Sequence, residues 1–168
     1  DKISCDIIGE KKSTSIRYKK LAGRSDEILT HVLGFSGSSY KITKKQLIYA
    51  EKSKIIKIER INIKDLIIDS FNDYKIDKIA RGIAELLKEN NVFVVPEVDR
   101  NLKIKNLERL ILDILSRVAF KLFSNYEVKI NRIILIGGET SFSILDILKA
   151  KTIKIIRQIE QAVDFGVI

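Results

Sequence analysis

A chain of 168 residues with 45% hydrophobic and 32% charged side chains has the size and composition of one folded domain that buries its own core. Its single cysteine, Cys5, excludes an internal disulfide and a cysteine-built zinc site, and its single histidine, His31, excludes metal centres built from several imidazoles. The net charge of +9 favours anionic partners and leaves nucleic acid and phosphorylated small molecules both open.

No apolar run approaches the roughly 18 residues of a membrane span, and the first twenty residues are too polar for a signal peptide. A cytoplasmic protein without a membrane partner is the expectation. The absence of methionine and the opening at Asp1 suggest a piece of a longer protein.

Residues 1–29 are polar, basic and weakly periodic, and read as a linker or the remnant of a preceding domain; residues 30–168 read as one α/β domain. THVLGFS predicts a strand, GSSY a loop, and ITKKQLIYAEK a helix with Ile42, Leu47, Ile48 and Ala50 on one stripe and a capping box from Thr43 to Gln46. SKIIKIERI alternates like a strand. YKIDKIARGIAELLKEN predicts a helix, with Ile76, Ile79, Ala80, Ile83, Leu86 and Leu87 in phase. NVFVVPE reads as a strand ended by Pro96, and LKIKNLERLILDILSRVAFKLF as a long helix burying Leu107, Leu110, Ile111, Ile114, Leu115, Val118 and Leu122. RIILIGG, SFSILDILK and TIKIIRQI then give strand, helix and a last strand.

Strands alternating with long helices predict a layered, mostly parallel sheet with helices on both faces, and the unbroken FVV and IILI runs predict strands covered on both sides. Two segments stand out in that frame. GFSGSS at 34–39 and IGGETS at 136–141 each follow a predicted parallel strand and precede a helix, where open α/β sheets bind ligands. Gly137 and Gly138 have the freedom for positive φ and close approach, and Thr140 and Ser141 have the chemistry to cap a helix whose amides attract phosphate. Glu139 repels a phosphate unless it bridges through Mg²⁺ or water, so it is the candidate metal ligand. The same residues also suit an ordinary turn and cap. Neither loop is a Walker A sequence or a dinucleotide fingerprint.

SGSSYKITKKQ at 36–46 and GGETSFSILDIL at 137–148, followed by TIKIIRQIEQAV, resemble the C-terminal nucleotide-binding domain of the four-carbon acid sugar kinases, formerly a domain of unknown function. The family's Ser-Gly-Ser-Cys-Ser-x-x-Thr-x-x-Gln element is matched by Ser36, Gly37, Ser38, Thr43 and Gln46, and its Gly-Gly-Glu-Thr-Ser element in full by Gly137, Gly138, Glu139, Thr140 and Ser141. Of its Glu-Ile-x-Pro-Gly-Val-Pro strand end, Ile159 and Val163 remain.

The resemblance implies ATP and Mg²⁺ held by the two loops, with phosphoryl transfer to a hydroxyl of a threonate- or erythronate-type acid. The acid would sit largely in an N-terminal domain outside this sequence. Catalytic residues and subunit number are left open. Tyr40, Phe142, Gln161, Ala162 and Asp164 depart from the family pattern, and its late Lys-Ser-Gly-x-Phe-Gly segment is not in this sequence. The alternative is a basic α/β module for nucleic acid or a protein partner, resting on Lys11, Lys12, Arg17, Lys19 and Lys20, which otherwise read as a solvated tail. His31, Cys5, Asp99, Arg100 and Asp146 read as structural or surface residues.

Overall fold

The computed structural model describes residues 31–68, 72–99, 104–128, 130, 132–161 and 163–168. The expected linker, Cys5 and the basic cluster around Lys11–Lys20 lie outside the described residues, as does Arg100. The elements run β1 (Val32–Ser36), α1 (Lys41–Lys52), β2 (Lys57–Asn62), α2 (Ile63–Ile68), α3 (Asp73–Leu86), β3 (Val92–Glu97), α4 (Leu107–Asn125), β4 (Arg132–Ile136), α5 (Gly138–Ile147), β5 (Lys154–Glu160) and β6 (Val163–Val167).

Four strands form a parallel sheet in the order β2-β3-β1-β4. The fold is α/β, as the alternation of strands and helices predicts. Each row across the sheet alternates in face with the next. Leu33, Phe35, Val92, Val94 and Ile61 point to one side and join Ile76, Ala80 and Ile83 of α3, Ile114, Leu115, Val118 and Leu122 of α4 and Ile144 of α5 in a single core. The row Ile58, Phe93, Gly34, Ile134 faces the other side. Arg60, two residues from Ile58, meets Glu51 of α1 through two hydrogen bonds of 2.9 and 2.5 Å, which places α1 on that second face.

Helices therefore cover both faces, but unequally. α3, α4 and α5 pack together on one; α1 lies beside β2 on the other. This asymmetry corrects two expectations. Only Leu47 of the anticipated α1 stripe is buried, while Ile42 and Ile48 are exposed, and the IILI run is not covered on both sides, because Ile134 of the edge strand is 44% exposed.

Three further differences have local causes. β3 runs on through Pro96 to Glu97, since its pairing with β1 ends at Val94 and the missing amide interrupts no ladder there. α2 follows β2 directly and buries Ile63 and Leu66, a helix of six residues too short to show a period. The last predicted strand, β5, does not join the parallel sheet: it pairs antiparallel with β6 in a separate hairpin.

The α3–α4 contact carries a polar clamp as well as core. Asn125 Nδ2 and Tyr126 Oη donate to the Asp77 carboxylate at 3.2 and 3.0 Å, and Arg81 pairs with it at 3.4 Å. These donors, Asn125 first, hold the Asp77 carboxyl below the ordinary carboxylate range. A carboxyl depressed in the folded state stabilises above its unfolded pKa, and that contribution disappears as pH falls through the folded value. Tyr126→Phe should therefore flatten the acid limb of a stability-versus-pH curve; a limb identical to that of the parent chain would show that the clamp contributes nothing.

Candidate functional site

The two glycine- and hydroxyl-bearing bends leave the carboxyl ends of adjacent strands. After β1 the chain passes through residues 37–40, where Ser38 Oγ accepts the Tyr40 amide at 3.3 Å, and α1 begins at Lys41. The N-cap is Tyr40, with no side-chain cap bond. The expected Thr43–Gln46 capping box does not form, because the helix starts earlier and places Thr43 inside its first turn.

At the second bend Gly137 takes φ 102° and ψ 130°, a conformation that a Cβ makes costly, and α5 starts immediately at Gly138. Gly138 itself is helical. Thr140 and Ser141 thus lie within the helix and do not cap it, contrary to the expectation from sequence. The cap position belongs to Gly137, and the Ser141 hydroxyl instead donates back to the Gly137 carbonyl at 2.8 Å, alongside the Ser141 amide at 2.8 Å. The amides of Gly138, Glu139 and Thr140 precede the first intrahelical bond and have no carbonyl of the helix to meet. Glu139 is exposed in the first turn, where a carboxylate complements the positive end of the helix.

The sheet brings the bends together. Ser36 and Ile136 are register partners at the last rung of β1 and β4. Beyond that rung Gly37 lies against Thr140 so closely that a Cβ there would collide with Thr140 Oγ1. Among the described residues the buried polar side chains are Ser36 and Thr140, 2% and 3% exposed. A hydroxyl from each bend is thus enclosed where the bends meet, while Gly37 and Ser38 are half-buried and Gly137, Gly138 and Glu139 are exposed. α1 leaves toward one face and α5 toward the other, so the meeting point is a topological switch, the place where open α/β sheets form a ligand crevice.

The family model described as the nucleotide-binding C-terminal domain matches residues 33–167, which takes in both bends and the hairpin. The chain belongs to this family. The nucleotide-binding C-terminal domain is that of the four-carbon acid sugar kinases, so the resemblance carried by the Ser-Gly-Ser and Gly-Gly-Glu-Thr-Ser elements holds over nearly the whole described region. A comparison with curated proteins finds none that matches.

Among the described residues no group of three histidine, cysteine, aspartate or glutamate side chains gathers to hold a metal ion, and no helix is long and apolar enough to cross a membrane. His31 precedes β1 at the opposite end of the strand from the first bend. The Gly37–Thr140 contact is the feature that sequence reading missed. Its signal was present in two short motifs far apart in sequence, but nothing local says that they touch.

Proposed function

We propose that the crevice between the two bends binds the phosphates of ATP, and that the chain serves phosphoryl transfer to a hydroxyl of a four-carbon sugar acid. The meeting of the two bends at a switch point, with a buried hydroxyl from each and free amides opening α5, carries the reading. Gly137 lets the backbone approach the ligand, the amides of Gly138, Glu139 and Thr140 donate to phosphate oxygens, and Ser36, Gly37, Ser38 and Ser141 shape the walls. One helix end contributes only about 0.3–1 kcal/mol to an exposed charge, so the amides act together with the second bend. Phosphoryl transfer needs mainly positioning and charge neutralisation, and such a set supplies both without a protein nucleophile.

Mg²⁺ would neutralise the phosphates. Glu139, exposed in the first turn of α5, is the carboxylate that would hold it through water. The sugar acid would be held chiefly by another domain, with residues 30–168 forming the nucleotide-binding unit.

Thermal unfolding of the chain with ATP or ADP and Mg²⁺ tests this. A nucleotide at 100 times its Kd adds about 2.7 kcal/mol to stability and raises Tm measurably. Gly137→Ala should cost about 1–2 kcal/mol without nucleotide, from the unfavourable φ, and should abolish the rise. No rise with either nucleotide at millimolar concentration would refute the proposal.

A further inference from the structure

α5 has a second distinct side. At about 100° per residue, Thr140, Ile144, Ile147 and Leu148 turn inward onto the core, which leaves Gly138, Phe142, Leu145 and Asp146 as one stripe on the opposite side. Phe142 is 74% exposed on this stripe, an aromatic ring with no core role. At its far end a cavity of about 350 Å³ opens between Phe142, Leu145 and Asp146 and residues 150–153, the loop that leads into the hairpin. Ile153 closes it by packing over Gly166 of β6, where an added Cβ would come within 2.8 Å of Ile153 Cγ2. The volume lies within the range of small-ligand sites.

We infer that this cavity seats the purine base of the nucleotide whose phosphates meet the N-terminus of α5, an inference that rests on the function proposed above. The eight helical steps from Gly138 to Asp146 span about 12 Å, the reach of a nucleoside with its first phosphates. Phe142, one turn below Gly138, offers a ring face on which a base stacks, and Leu145 and Ile153 supply apolar surface. The Asp146 carboxylate fixes the polarity: it repels phosphate and accepts a hydrogen bond from an amino group, so the base end lies at this cavity and the phosphate end at Gly138. A 6-amino purine presents a donor to Asp146; a 6-oxo purine presents an acceptor.

The test compares the affinities of ATP, ITP and inorganic tripolyphosphate, each with Mg²⁺, for the unaltered chain and for Phe142→Ala and Asp146→Asn. ATP should bind at least about tenfold more tightly than tripolyphosphate. Phe142→Ala should weaken ATP about tenfold and leave tripolyphosphate unchanged, and Asp146→Asn should narrow the preference for ATP over ITP. Both side chains are exposed, and an unchanged Tm without ligand verifies that the variants fold. If ATP and tripolyphosphate bind equally and Phe142→Ala changes neither, the base seat is overturned while the phosphate crevice stands. If neither ligand binds, both proposals fall.

Discussion

Phe35→Ala should lower the free energy of unfolding by about 3–5 kcal/mol, the usual cost of truncating a fully buried phenylalanine. Phe35 has no exposed surface and lies on β1, an interior strand with hydrogen-bonded neighbours on both sides, level with Val94 on β3 and Leu135 on β4. Its ring belongs to the core that α3, α4 and α5 share, so the cavity left by alanine is bordered by several elements and cannot close by moving one of them. Urea denaturation should show a lower midpoint at an unchanged slope. A loss below about 1 kcal/mol would mean that the sheet and helices collapse around the gap, and that the packing described here is far more compliant than close-packed interiors are.

Gly34→Ala should cost about 3 kcal/mol, at the upper end of what overpacking does. Gly34 is the register partner of Phe93, and a Cβ at position 34 would run into the Phe93 ring at three of its carbons. The ring fills the space that a glycine leaves in a central strand, and at 5% exposure it has little room to retreat. The double variant Gly34→Ala with Phe93→Leu separates this steric account from any general intolerance of side chains at position 34. If the collision is the cause, the pair is destabilised by less than the sum of the two single changes. Strict additivity would rule the collision out.

Much of the architecture was readable because the long amphipathic helices repeat their pattern over many turns. Ile76, Ala80 and Ile83 in α3, and Ile114, Leu115, Val118 and Leu122 in α4, face the core as their spacing predicts. α1 misled for a physical reason: it is the helix assigned to the second face, where Ile42 and Ile48 stay exposed, and apolar spacing alone does not reveal that a partner layer is thin. β5 shows a different limit. A period of two identifies a strand but not its sheet, and β6, a five-residue run containing Asp164 and Gly166, gave too weak a pattern to announce a hairpin.

The candidate site was legible as two motifs and illegible as one place. Gly-Gly-Glu-Thr-Ser announces a strand-to-helix turn, yet the register of the helix depended on a single backbone angle. With Gly137 at positive φ in the cap position, α5 starts at Gly138, ahead of the predicted start at Ser141, and the hydroxyls assigned to capping become first-turn residues. Thr140 then turns inward to meet Gly37, a contact across more than a hundred positions that no local rule encodes.

β4 is held on one flank only, by β1, and most of its side chains stay partly open to solvent. By contrast β1 sits in the interior of the sheet with its last four residues buried. The two bends therefore issue from supports of unequal rigidity, one anchored and one prone to fraying. Any molecule that bridges them ties the loose border of the sheet to its firm centre, and slowed amide exchange along β4 would record occupancy of the crevice from a distance.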